Sequence, residues 1–173
     1  MIHVLQIVTF SFFSDGESKV YESICDAVEL NSLDCLNYLL EKYNRNLRKP
    51  TASQNEMRDR RLGIKYQIGD KVAKRYPLHV IASRCSDVKA LNVVENYETF
   101  MEDHIDMGDS EDSTPLLIAL KRRNDKVAKR LLKHKNCTRP DVTKKNKDGE
   151  SPIMLAALFG QTSILMEMKK ECE

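Results

Sequence analysis

The 173-residue chain has no tryptophan, only six glycines and five prolines, and aromatic residues make up 6% of it. It contains no glycine-rich phosphate loop, no HExxH sequence and no EF-hand loop, so the short motifs that mark nucleotide, zinc-protease or calcium sites are missing. No nucleophile, base and orienting acid occur at a recognisable catalytic spacing. The sequence therefore predicts a protein that is not an enzyme and that uses no cofactor, metal or small-molecule substrate.

The cysteines do not form the patterns of a disulfide framework or a zinc knuckle. There are five, an odd number, at wide spacings and without a CxxC pair. Cys25 and Cys35 fall in apolar helical patterns, where a free cysteine serves as a small apolar side chain. This usage predicts a reducing compartment, and hence an intracellular protein of the cytoplasm or nucleus.

The most apolar stretch is MIHVLQIVTFSFF at positions 1–13. It lacks a basic start and a small-residue cleavage site, and it is too short to span a bilayer. Because β-branched and aromatic residues dominate it, we expect an extended segment that covers the first helices and acts as an N-terminal cap. Secretion is the less favoured alternative, and no membrane span is expected.

The net charge of +2 hides strong local imbalances. Positions 43–75 carry ten basic and three acidic residues, positions 95–112 carry eight acids and no Lys or Arg, and positions 121–147 carry twelve bases and two acids. Both signs therefore lie in separate blocks along the chain. Such blocks affect association rates and partner discrimination more than they affect the fold.

An internal repeat is the most informative feature of the sequence. YPLHVIA at 76–82, TPLLIAL at 114–120 and SPIMLAA at 151–157 share one pattern, and their starts lie 38 and 37 residues apart. Thr114 and Ser151 are suited to cap a helix, and the proline that follows each fits the first helical position. A period of this length predicts stacked supersecondary units that bury their apolar faces against each other.

A second apolar stripe with helical spacing follows each of these segments, at 88–94, 127–132 and 164–168. Each unit therefore reads as helix, tight turn, helix. The turns are expected near Cys85, Arg123-Asn124 and Gly160. An earlier unit has the same spacing without Thr-Pro, with its turn at Asn31.

This pattern resembles the ankyrin repeat, whose motif runs D-x-x-G-x-T-P-L-H-x-A-A-x-x-G before a second helix and a β-hairpin finger. The best match has Asp148-Gly149, Ser151-Pro152, Ala156-Ala157 and Gly160, and the resemblance covers about 20–173. Only the second unit keeps the histidine, His79. The resemblance implies an all-α ankyrin-repeat solenoid of about four helix-turn-helix units with β-hairpin-like fingers and the apolar N-terminal cap.

The resulting domain prediction follows the repeat boundaries. It places an N-terminal cap at 1–18, a first repeat at 19–42, a second repeat at 76–113, a third at 114–150 and a C-terminal capping repeat at 151–173. The basic insertion at 43–75 has few strand or helix signals and is interpreted as solvated and partly disordered. The acidic segment between Glu95 and Asp112 is interpreted as a solvated finger, because it lacks the terminal glutamate of a calcium loop. His79, although six residues from Cys85, is expected to fix a finger by hydrogen bonding.

The resemblance also implies a function, which is binding of a partner protein on the concave helix face and fingers, as an adaptor or an inhibitor. Aromatic and arginine anchors in a polar surround are typical of such interfaces. One alternative is the N-terminal ankyrin domain of a larger enzyme or channel. Another is a nucleic-acid-binding module that uses the basic third repeat, although few aromatics are present there to stack on bases. The predicted partner-binding residues are Arg84, Lys121, Arg122, Leu158 and Phe159 on the helices and Asp103, Asp106 and Asp109 on the acidic finger.

Overall fold

The computed structural model describes residues 18–47, 64–68, 71–84, 88–133 and 139–169. Within these ranges the elements are α1 (Ser18–Glu29), α2 (Leu33–Leu47), β1 (Ile64–Ile68), β2 (Lys71–Arg75), α3 (Pro77–Arg84), α4 (Lys89–Val94), α5 (Glu98–His104), α6 (Pro115–Lys121), α7 (Asp125–Leu132), α8 (Pro152–Leu158) and α9 (Thr162–Lys169). The predicted N-terminal cap, apart from its last residue, lies outside the described residues, as do Cys85, Cys137 and Cys172.

The helices are arranged in two parallel rows. The first helices of successive units contact each other in the order α1, α3, α6, α8, and second helices also pack on neighbouring second helices, as α2 on α4 and α7 on α9. Each unit is thus held mainly by the units beside it, as expected for a repeat array. None of the described helices is long and apolar enough to cross a bilayer.

The buried core is continuous along these rows. It consists mainly of leucine, isoleucine, valine and alanine side chains, and Ala82, Ala119 and Ala156 are all fully buried. Alanine at these positions lets the first helices approach closely, as the repeat pattern predicts. The predicted helix starts are also confirmed, since the hydroxyl oxygens of Thr114 and Ser151 accept hydrogen bonds from Leu117 and Met154 at 3.3 and 3.4 Å.

The described turns between paired helices, in the first, third and fourth units, share one hydrogen-bond pattern. The residue after each turn donates its N–H to an alanine carbonyl near the end of the first helix: Ser32 to Ala27 at 2.9 Å, Asn124 to Ala119 at 2.8 Å and Gln161 to Ala156 at 2.8 Å. The preceding residue has a positive φ in all three, at Asn31 (51°), Arg123 (54°) and Gly160 (66°). This is the geometry that closes a helix with a left-handed residue. The first unit therefore has the same turn geometry as the third and fourth units.

Gly160→Ala tests the backbone requirement at this turn. We expect a loss of about 1 kcal/mol in unfolding free energy, because a Cβ is disfavoured at φ +66° although no atom lies within 4 Å of its ideal position. Gly160→Asn should cost less, since asparagine tolerates the left-handed region. Urea unfolding followed by circular dichroism measures both. Equal stability of the alanine variant and the native protein would contradict the left-handed backbone conformation at Gly160.

The acidic segment after the second repeat differs from the solvated finger predicted for it. Residues Glu98–His104 form helix α5, and Phe100, Met101 and Ile105 are buried, at 1%, 0% and 1% exposure. The ring of Phe100 packs edge-on against Tyr43 of α2 at 5.4 Å. The prediction failed because the acids point outward on one helical face while the apolar residues, at helical spacing, face α2.

The basic insertion is also more regular than predicted. Helix α2 continues to Leu47, and β1 and β2 form an antiparallel hairpin in which Ile64 pairs with Arg75 and Ile68 pairs with Lys71. The sequence IKYQI alternates apolar and polar residues and is followed by Gly-Asp, which is a hairpin signal that the surrounding basic residues obscured. The described fold is therefore helical with one two-stranded hairpin. The rest of the insertion, 48–63 and 69–70, lies outside the described residues.

Candidate functional site

A groove of about 420 Å³ runs between the ends of the first helices and the fingers, the segments that link one unit to the next. The helix wall consists of Arg84, Lys121 and Arg122, and the finger wall of Asp109, Glu111 and Asp148. The floor contains His79, Val80, Ser83 and Ile118, and Glu29 borders the first-repeat end. Four of the eight predicted partner-binding residues, Arg84, Lys121, Arg122 and Asp109, are thus brought together.

Two of the three cations on the helix wall form ion pairs with acids from other segments of the chain. Arg84 lies 3.0 Å from the Glu29 carboxylate, and Lys121 lies 2.7 Å from Glu150 and 4.0 Å from Asp148. The Lys121 ammonium holds the pKa of Glu150 below its ordinary value. By contrast, Arg122 is exposed and forms no ion pair or side-chain hydrogen bond with any described residue.

Asp109 on the finger wall shapes its own turn. Its carboxylate accepts hydrogen bonds from the backbone N–H groups of Glu111 and Ser113, both at 2.9 Å. Asn146 does the same in the next finger, accepting from Glu150 N–H at 2.9 Å. The two residues lie 37 positions apart, so they occupy the same place in successive repeats. Asp109 therefore positions the finger, and only its remaining oxygen is left to face the groove.

The other two predicted acids lie away from the groove. Asp106 accepts the backbone N–H of Asp141 at 2.8 Å, and the Lys144 ammonium donates to its carbonyl, so it joins the acidic finger to the basic one. Burial raises the pKa of the Asp106 carboxyl, against the effect of these partners. Asp103 lies on α5 and does not line the groove. The two hydrogen bonds at Asp106 join the segment that follows α5 to the segment that precedes α8.

Leu158 and Phe159, the predicted apolar anchors, also lie outside the groove lining. Leu158 is 73% exposed at the end of α8. The guanidinium of Arg123 lies 5.5 Å from the centre of the Phe159 ring, at the distance of a cation–π contact, and the ring is half-buried.

His79 forms a structural contact in the groove floor. Its Nε2 donates to the carbonyl oxygen of Ser113 at 2.9 Å, across 34 residues of sequence, and its ring packs against Tyr76. Burial lowers the pKa of the imidazole, with the backbone hydrogen bond and Asp109 acting in the opposite direction. The histidine therefore ties α3 to the finger that follows, as the resemblance implied.

The sequence did not show how far the basic third repeat is neutralised. Arg130 donates from Nε and Nη2 to both oxygens of Glu95 at 2.9 and 2.6 Å, and Lys133 lies 3.6 Å from Glu167. Each acid lies about one repeat length from its base along the chain. A search for opposite charges at that offset would have found these pairs, because the same helix positions of successive repeats are neighbours in space.

Comparison with known proteins supports the repeat assignment. Residues 78–172 match the family model described as ankyrin repeats, in three copies. No curated protein matches the chain at a significant level. The unit formed by α1 and α2 lies outside the matched range and is assigned to the array by its turn geometry and its packing on α3 and α4.

Proposed function

The chain belongs to the ankyrin-repeat family, whose repeats are protein–protein interaction modules, and from this premise we propose that it is an adaptor or inhibitor that holds a segment of a partner protein in the groove. The observation that carries the proposal is the convergence of residues from three units on one concave site. Glu29 comes from the first repeat, Arg84 from the second, and Lys121, Arg122 and Asp148 from the third. Concave sites with a few convergent polar groups are typical binding sites.

The alternative of nucleic-acid binding is weakened by the ion pairs of the third repeat. Phosphate binding needs a cluster of cations free to replace counterions. Here Arg130 and Lys133 each lie within 4.0 Å of a carboxylate from a neighbouring repeat, and Lys121 lies 2.7 Å from Glu150 in the finger of its own repeat. Binding phosphates would require these pairs to be broken, so a protein segment carrying charges of both signs is the better match to the surface.

Site-directed crosslinking tests the location of the partner. In one variant the photoreactive residue p-benzoylphenylalanine replaces Asp148, whose side chain lines the groove and is 72% exposed. In the control variant it replaces Lys126, an exposed residue of α7 that does not line the groove. Each variant is irradiated in lysate of cells that express the protein, after nuclease treatment. We expect one or a few proteins to be linked through position 148 and absent at position 126, as identified by mass spectrometry.

Two outcomes would contradict the proposal. If the same proteins are linked at both positions, the contact is non-specific or lies outside the groove. If no protein is linked at position 148 while the native chain still recovers a partner on affinity beads, the partner binds another face. Circular dichroism of both variants checks that the fold is unchanged.

A further inference from the structure

The groove has one charged side chain on each wall that no described residue neutralises. On the helix wall this is Arg122, and on the finger wall it is Glu111. Both are exposed, and neither side chain makes an ion pair or hydrogen bond within the described residues. The other charges around the groove are engaged: Arg84 with Glu29, Lys121 with Glu150 at 2.7 Å and Asp148 at 4.0 Å, and Asp109 with two backbone N–H groups.

Paired and unpaired charges respond differently to a docking partner. A pair that is already formed gains little from a new charge, because any attraction to one member is offset by repulsion from the other. An unpaired charge that a partner covers loses its hydration, and this costs free energy unless the partner supplies a group of opposite sign. Arg122 and Glu111 are therefore the two positions at which the groove distinguishes one partner from another.

The two side chains have different geometric demands. The guanidinium of Arg122 is planar and presents a fork of N–H donors that matches a carboxylate. The carboxylate of Glu111 lies on the opposite wall and accepts from an ammonium or a guanidinium. A segment that satisfies both must carry an acid and a base that point to opposite sides of the groove.

On the basis of the proposed function, we propose that the groove selects a protein segment carrying both an acidic side chain, bound by Arg122, and a basic side chain, bound by Glu111. The remaining ion pairs around the groove stay intact on binding and fix the two walls. The partner is thus recognised by the order of its charges and not by its net charge. A purely acidic or purely basic segment would satisfy one wall and leave the other charge buried and unpaired.

Selection from a displayed library of random dodecamer peptides tests this inference. On the native chain we expect enriched peptides to contain both an acid and a base. The Arg122→Glu variant should bind these peptides about tenfold less tightly, and binding should recover when the acid in the peptide is changed to lysine. The Glu111→Lys variant should show the mirror-image effect with the basic position of the peptide.

Two variants make the same charge changes away from the groove. They are Lys126→Glu, at an exposed position of α7, and Glu102→Lys, at an exposed position of α5. Neither residue lines the groove. Both should leave the affinity of the selected peptides within about twofold in 0.15 M salt, where charges more than a Debye length apart are largely screened. A tenfold loss in either control would show that long-range charge, and not the two groove residues, governs binding, and would overturn the inference.

The remaining outcomes separate this inference from the proposed function. Loss of peptide binding in Asp148→Trp shows that a peptide binds at the groove. If such peptides carry no charge preference, or if Arg122→Glu does not affect their binding, the inference is overturned and the groove remains a protein-binding site. Absence of any groove-dependent peptide would overturn both. A 20-nucleotide single-stranded oligonucleotide is also compared with the peptides. If it binds more tightly than any peptide and loses this binding in Arg122→Glu, the groove binds phosphates, and both the inference and the proposed function are overturned.

Discussion

Replacing Phe100 with alanine is expected to lower the free energy of unfolding by about 3–5 kcal/mol. The side chain is 1% exposed. Its ring centroid lies 5.4 Å from that of Tyr43 on α2, and 4.1 Å from that of His104 on its own helix, on which it stacks. Its removal leaves a cavity between α5 and α2, and the surrounding rings can close it only in part. Urea unfolding followed by circular dichroism at 222 nm measures the change.

The matched control lies on the opposite face of the same helix. Glu102 is exposed and lacks an ion-pair partner among the described residues, so Glu102→Ala should change stability by less than about 0.5 kcal/mol. A loss below about 1 kcal/mol for Phe100→Ala would mean that α5 does not pack on α2. In that case the solvated acidic finger expected from the sequence would be the better description.

The comparison between the sequence and the fold shows which signals are local. The helix starts at Thr114 and Ser151 and the turn at Gly160 were predicted correctly, because a cap, a proline and a left-handed residue each act within a few positions. Helix α5 was missed because eight acids in the same block suggested solvation, although its apolar residues recur at helical spacing. At this segment the helical periodicity of the apolar residues, and not the density of acids, indicates the structure that forms.

The candidate site was predictable in part for a different reason. The register of the repeats placed Arg84, Lys121 and Arg122 at the ends of the first helices, and the structure brings all three to one groove. The register could not show which charges are used internally. Asp109 serves its own turn and Asp106 serves the neighbouring finger, and both facts depend on contacts between residues that only the folded chain brings together. The unpaired state of Arg122 and Glu111 is likewise a property of the fold.

The second large effect is expected at His79, where alanine should cost about 2–3 kcal/mol. The substitution removes the donor to the carbonyl oxygen of Ser113, which is buried, and it also removes the ring that packs against Tyr76. His79→Gln retains an N–H donor at a similar reach and should cost only about 1 kcal/mol at neutral pH. Equal losses for alanine and glutamine would contradict a role for the hydrogen bond and leave only the packing of the ring.

The same pair of proteins, native and His79→Gln, should diverge in their dependence on pH. Burial lowers the pKa of His79 in the folded chain below the ordinary value of 6.5, despite the nearby Asp109 carboxylate. As pH falls through about 6.5, the unfolded chain therefore takes up a proton that the folded chain does not, and the native protein loses stability by up to about 1.4 kcal/mol per pH unit. Above that pH the contribution is complete and constant.

Glutamine does not titrate, so the advantage of the native protein over His79→Gln should shrink between pH 7.5 and 5.5 in urea unfolding. A constant difference across that range would mean that the folded and unfolded chains hold the His79 proton equally, which the buried position of the ring argues against.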